Sequence, residues 1–174
     1  LSVCIQASEW DCTLEGIEPD PSIRLGFRLI QGIGRDDVAR LLEARKTSPF
    51  LDLQDVIYRS NLKRAVLLRL AEANVFSTME PDRRKVSWEI QGSWSQLPLF
   101  QTSRRDEPPL TLSAPCPVQS VETNYRTMGL SVGEHPMQYL RSHLPKNTFG
   151  LGELQTLDTG RFVRVAGVIL NRPR

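Results

Sequence analysis

Three stretches of the chain space their apolar side chains three and four positions apart. In QGIGRDDVARLLEARK, Val38, Leu41 and Leu42 share one face of a helix starting near Arg35, and Asp36 and Asp37 sit in its first turn, where acids suit the helix dipole. In PFLDLQDVIYRSN, Leu53, Val56 and Ile57 form a second such face behind Asp52, a residue type that caps helix N-termini. In LKRAVLLRLAEAN, Val66, Leu67, Leu70 and Ala71 point one way, and Asn74 suits a left-handed cap. The spacing predicts a compact bundle of short helices over residues 27–76.

Elsewhere the pattern changes. SVCIQASEWDCTLE mixes β-branched, aromatic and polar residues without helical spacing, which predicts strands, and the turn-rich GIEPDPS follows. Pro81 opens a further helix that Gly92 is expected to end. Residues 93–117 hold five prolines with neither period nor alternation, the pattern of a linker or arm. Two short helices follow, separated by residues 129–134, then a short helix, a turn at 158–160 and an alternating strand over 162–170.

At 174 residues and 40% hydrophobic content the chain has room for one ordinary domain or two small ones with a linker. It lacks an apolar run of about 18 residues and a basic-then-apolar leader, so a soluble cytoplasmic protein without membrane partners is expected. Leu at the first position and a strand-like end suggest a segment of something longer. Cys4, Cys12 and Cys116, odd in number and without CxxC spacing, predict reduced, mostly buried thiols rather than disulfides or a zinc site. The net charge of +2 is unevenly spread: residues 1–23 carry five acids and no bases, residues 24–72 ten bases and six acids. The basic middle is the expected polyanion surface.

The Gly32–Ile33–Gly34 turn ahead of a helix has a direct use on that surface. Its glycines are expected to take positive φ and let a ligand approach the backbone, while the free N–H groups of the helix start make an anion site. Arg28, Arg35, Arg40, Arg45 and Lys46 are expected around the turn. This is the helix-hairpin-helix arrangement, which grips a DNA strand without reading bases. SNLKRA stands in the hairpin place of a second, degenerate unit, with Asn61 at the left-handed position and Lys63 and Arg64 opening the helix. Asp36 and Asp37 weaken the field at the first hairpin. No Asp-x-Asp pair beside a strand, no Ser/His/Asp or Cys/His set and no GK[ST] loop is present, and His135 before Pro136 reads as a helix start. The segment is expected to bind rather than react.

IQASEWDCTLE, IRLGFRLIQGIG, DRRKVSWEIQGSWSQLPLF, NYRTMGLSVGEHPM and GRFVRVAGVIL, in this order, resemble the C-terminal part of a bacterial C-family DNA polymerase. ASEWDCTLE and LPLF are similar to its error-prone, damage-inducible (ImuC-type) branch. The resemblance implies a mainly α fold with a short β element: the end of the fingers region over residues 1–26, a tandem helix-hairpin-helix domain over 27–76, a helix and Pro-rich arm over 77–117, and a helical connector with the first strand of an incomplete OB-fold over 118–174. It also implies duplex primer-template DNA and mutagenesis accessory proteins as partners, and a nucleotidyltransferase whose magnesium-binding palm carboxylates lie upstream of Leu1. No cofactor and no catalytic residue is therefore expected in this chain. A single OB strand does not carry single-strand binding, and the missing glycines leave the second hairpin the weaker phosphate site.

In that family a short Gln-x-x-apolar-aromatic peptide between the hairpins and the OB-fold docks on the ring-shaped sliding clamp, and Gln96, Leu97, Pro98, Leu99 and Phe100 match it in type and position. Burying Leu99 and Phe100 is worth about 1.5–3 kcal/mol each before the arm's ordering cost, so a weak contact is expected. In this branch a partner protein can supply the clamp contact instead. Two alternatives stand beside the polymerase reading: a non-enzymatic helix-hairpin-helix repair scaffold, and a structural bundle without a ligand.

Overall fold

A computed structural model of the chain describes residues 2–16, 20–93 and 116–169. Among these, β1 (Thr13–Glu15) and β2 (Ser22–Arg24) precede a 3-10 turn at Phe27–Leu29 and helices α1 (Arg35–Thr47), α2 (Leu53–Ser60), α3 (Arg64–Glu72), α4 (Arg83–Ser93) and α5 (Pro117–Met128). Then follow α6 (Pro136–Leu140), a 3-10 turn at Arg141–His143, β3 (Thr148–Phe149), α7 (Leu151–Leu154) and β4 (Arg164–Val165). The fold is mainly helical, and it divides into two compact units, Leu1–Val132 and Gly133–Arg174.

The periodic positions meet in one core of the first unit. Val38, Leu41, Leu53, Val56, Val66, Leu67, Leu70 and Ala71 are all buried there, with Leu42 and Ile57 at its edge. α2 and α3 have 8 and 9 residues, below the roughly 12–15 at which an isolated helix persists, so packing holds them. Each buried leucine or valine contributes about 1.5–3 kcal/mol to that packing. The expected stops are present: Asp52 caps α2 by accepting the Asp55 N–H at 2.8 Å, and Asn74 stands at φ 59° after α3. α4 starts behind Asp82, whose carboxylate accepts the Arg84 N–H at 2.9 Å. It passes through Gly92 instead of stopping there.

The N-terminal segment departs from expectation. Only Thr13–Glu15 is a strand, paired antiparallel with Ser22–Arg24 and with Leu14 opposite Ile23. Ahead of it, Val3 and Ile5 are fully buried in the helical core, so these β-branched residues fill a bundle rather than a sheet face. The Ile5 N–H donates to the Val75 carbonyl at 3.0 Å, and the Gln6 side chain exchanges hydrogen bonds with the backbone of Phe50. Arg45 donates to the Ser8 carbonyl at 2.7 Å and pairs with Glu9. At Gly26 the two segments touch: a β-carbon there would lie 2.5 Å from the Trp10 oxygen and 2.4 Å from the Asp11 carbonyl carbon. Only glycine permits that approach, which lets Phe27 and Arg28 donate to the Glu9 and Trp10 carbonyls at 2.9 and 3.1 Å.

α5 packs on α3, and the Gln31 N–H donates to its Thr127 carbonyl at 2.8 Å. Gly129, at φ 73°, ends it. Of the thiols, Cys4 is buried, but Cys12 and Cys116 are exposed; all three are free. The expectation of mostly buried thiols is thus corrected: Cys12 lies in the loop entering β1 and Cys116 immediately before α5, both at the surface.

In the second unit His135 caps α6 as expected, its Nδ1 accepting the Met137 N–H at 3.2 Å. The strand expected over 162–170 is reduced to Arg164–Val165, which pairs in parallel with Thr148–Phe149. An alternating run extends as a strand only where sheet neighbours cover its apolar face; here Phe162, Val165 and Ile169 are exposed. Residues 94–115, and with them the Gln96–Phe100 peptide, lie outside the described residues.

Candidate nucleic-acid interface

Two three-residue turns of the first unit have the same backbone course. Gly32 stands at φ 79°, Ile33 packs against the core, and Gly34, at φ −84° and ψ 152°, is the N-cap of α1. Asn61 stands at φ 47° and ψ 37°, Leu62 is buried, and Lys63, at φ −63° and ψ 144°, is the N-cap of α3. Left-handed, inward, extended: Asn61–Leu62–Lys63 reproduces Gly32–Ile33–Gly34 residue by residue. The expectation that both glycines take positive φ is corrected, because Gly34 is extended. What Gly34 offers is open space, since a β-carbon there would meet only the Asp37 carboxylate, at 3.4 Å.

Neither α1 nor α3 has a side chain capping its first amides, whereas α2, which follows no hairpin, is capped by Asp52. The helix starts behind the two turns thus present backbone N–H groups and the positive dipole end outward, which suits a phosphate.

The cations divide by position. Arg35 and Arg64 are the first residues of α1 and α3; with Lys63 they are exposed and form no ion pair among the described residues. Arg28 is exposed beside the first turn and pairs with Asp11 at 2.8 Å. Arg40 is drawn back to Asp37 at 2.6 Å. Arg45 and Lys46 are not at the turn: ten and eleven residues beyond Arg35 they stand roughly 15 Å along the helix axis, Arg45 tied to the N-terminal segment and Lys46 to Glu43.

A model of the helix-hairpin-helix motif matches residues 1–86. Error-prone DNA polymerases match nearly the whole chain: the Pseudomonas paraeruginosa protein is 35% identical over 175 residues, covering 99% of this chain and 17% of its own length. The Alkalilimnicola ehrlichii protein is 33% identical over 174 residues, with the same 99% and 17% coverage. Over nearly its whole length the chain is homologous to a segment of the error-prone DNA polymerases. It spans about 17% of the length of these relatives, as a segment of a larger polymerase does.

Within this polymerase segment the structure adds a residue that the sequence pattern did not mark. Arg69 of α3 reaches across to the first turn, where a β-carbon on Gly32 would lie 3.7 Å from its Cζ and Nε. It is exposed and forms no ion pair among the described residues. No local signal points to it, because 37 residues separate the two positions. Arg69, on the helix that the second turn opens, thus stands beside the first turn. No helix among the described residues is long and apolar enough to cross a membrane.

Proposed function

We propose that this chain is the duplex-gripping part of an error-prone DNA polymerase, holding the DNA backbone behind the synthesis site without reading sequence. The observation that carries the reading is the pair of matched turns, each opening an uncapped helix start flanked by exposed cations. Two strands of one duplex, or two phosphates of one strand, suit two such sites in one unit. The catalytic step and its magnesium belong to the palm of the parent enzyme; the residues of this segment bind, orient and retain the DNA. In that role the parent polymerase acts in the cytoplasm during synthesis past damage. The Gln96–Phe100 peptide serves as a weak tether to the sliding clamp, with Gln96 setting register and Leu99 and Phe100 filling an apolar pocket.

The test is a duplex titration at several salt concentrations. About three phosphate contacts give a log–log slope near −3, at about 0.9 per phosphate, and a flat response removes the proposal. Gly34→Val is the matching variant: a β-carbon there meets only the Asp37 carboxylate, at 3.4 Å, yet the variant stands a branched side chain before the α1 amides and should weaken all sequences alike. For the clamp, Leu99→Ala with Phe100→Ala is expected to abolish the complex, and binding that survives both changes removes the tether.

A further inference from the structure

The face of the first unit formed by α4 and α5 carries a second basic feature, apart from the hairpins. An open cleft of about 280 Å³ lies there, lined among others by Arg83, Arg84, Trp88 and Gln91 of α4, Arg126 of α5 and Glu72 of α3. Arg84, Trp88 and Gln91 fall on one stripe of the helix by their spacing of four and three, while Val86 and Ile90 face the core on the other.

Arg83 is the unusual group. Its guanidinium is half-buried, yet it forms no ion pair among the described residues and donates only to neutral acceptors, the Glu72 carbonyl at 3.0 Å and Asn124 Oδ1 at 3.1 Å from both terminal nitrogens. Asn124 is fixed in turn by donating to Ser131 Oγ at 3.3 Å. Burial pushes the Arg83 guanidinium down from its ordinary value, with Asp82 opposing. A desolvated cation without a carboxylate is costly unless an anion completes it. Arg126 is exposed and forms no ion pair among the described residues, whereas the charge of Arg84 is met by Asp82 at 2.9 Å. Among the described residues of the lining Glu72 is the one acid, against these three guanidinia.

Trp88 adds an aromatic face to these cations. It is 59% exposed and lines the same cleft. A flat aromatic face beside guanidinia is the pairing that takes up unpaired bases with their phosphates. A duplex keeps its base faces stacked inside and offers none to an indole. An acidic peptide would use the guanidinia and leave Trp88 idle.

We propose that the α4–α5 cleft binds single-stranded DNA, with one base stacked on Trp88 and the adjoining phosphate held by Arg83 and Arg126. The choice of DNA rests on the polymerase reading above; the stacking site itself does not. An unpaired strand continuing from a duplex on the hairpin face is the ligand the two sites share.

The test is the fluorescence anisotropy of a labelled oligothymidylate titrated with the 174-residue chain. Trp88→Ala is expected to weaken binding about 5- to 150-fold, the range for loss of one base–aromatic stack, and Trp88→Phe to restore most of it, while Trp88→Leu does not. Arg126→Ala should lower the salt slope by about 0.7, the value for one single-strand phosphate. Duplex affinity should stay within about twofold in all of these variants, and Gly34→Val should lower duplex affinity more than oligothymidylate affinity, so failure of the hairpin reading and of this one are told apart. Equal affinity for Trp88→Ala and Trp88→Phe overturns the proposal. So does displacement of the oligonucleotide by polyglutamate as readily as by unlabelled oligothymidylate, which would make the cleft an acidic-peptide site.

Discussion

The guanidinium of Arg69, on the helix that closes the second hairpin, lies against Gly32 in the turn of the first. A β-carbon on Gly32 would stand 3.7 Å from Arg69 Cζ and Nε, and Gly32 itself is at φ 79°. The left-handed backbone is what favours glycine there, at about 1–2 kcal/mol for other residues, while at 3.7 Å the guanidinium would only touch a β-carbon in ordinary van der Waals contact.

If Arg69 completes the first phosphate site, Arg69→Ala should reduce the duplex salt slope by about 0.9, one double-strand phosphate. Arg69→Lys should keep the slope. Lys46→Ala, at the far end of α1 and paired with Glu43, should leave it unchanged. Unfolding in urea should move by less than about 0.5 kcal/mol for Arg69→Ala, as for exposed positions in general. A slope equal to that of the parent would place Arg69 outside the contact.

The second hairpin can be separated into its conformational and chemical parts. Asn61 holds φ 47°, so Asn61→Gly should be close to neutral in stability, whereas Asn61→Val forces a branched residue into the left-handed region and should cost about 1–2 kcal/mol. Leu62, only 2% exposed, anchors the turn, and Leu62→Ala should cost about 2–5 kcal/mol. Lys63→Ala with Arg64→Ala should leave stability alone and lower duplex affinity. Denaturation midpoints and duplex titrations of the four variants form the check. A binding loss that tracks stability in all of them would mean that the second turn is scaffold only.

Features that depend on near neighbours were legible along the chain. The apolar faces of α1 to α3, the Asp52 cap, the left-handed Asn61 and Asn74 and the His135 helix start each rest on residues within a turn of one another. What escaped depends on residues far apart. Val3 and Ile5 look like strand residues, yet the space that takes them lies beside Val75 and Phe50. The alternation over 162–170 needs a covering sheet, and pairing is confined to Arg164–Val165. Arg45 looks like part of the basic turn until its hydrogen bonds to the Ser8 and Ile5 carbonyls are seen. Arg69 carries no sequence mark, because its meaning comes from Gly32.

The contact at Gly26 supplies a stability prediction that composition does not suggest. A β-carbon there would penetrate the backbone of Trp10 and Asp11, and backbone cannot rotate aside as a side chain can. Gly26→Ala should therefore cost about 1–3 kcal/mol or more, the range for overpacking, and should loosen the hydrogen bonds from Phe27 and Arg28 to residues 9 and 10. Hydrogen exchange at the Phe27 and Arg28 amides, with a urea titration, reads both effects. Gly92→Ala is the control, since among the described residues no atom outside the backbone of its own helix lies within 4 Å of a β-carbon at that position. A Gly26→Ala chain as stable as the parent would show that the N-terminal segment does not depend on this docking.

The start of α4 gives the fold a defined acid response. The Asp82 carboxyl is held below the ordinary aspartate value of 3.8, first by the hydrogen bonds of the Arg84 side chain, with burial opposing and the Arg84 backbone N–H assisting. The native state therefore takes up this proton less readily than the unfolded chain. The contribution of Asp82 to stability is complete above its unfolded value near 3.8 and is lost as pH falls through the lower folded value. Glu15, lowered by its hydrogen bonds with Arg24, acts in the same direction. Asp82→Asn keeps an oxygen for the α4 cap and removes the titration. The stability difference between the parent and Asp82→Asn should be widest near neutral pH and close as the solution is acidified below 3.8, whereas Asp82→Ala loses the cap as well, at about 0.5–2 kcal/mol, and stays less stable at every pH. Urea unfolding at neutral and acid pH distinguishes these courses. A gap between parent and Asp82→Asn that does not narrow on acidification would remove the Arg84 contact as its source.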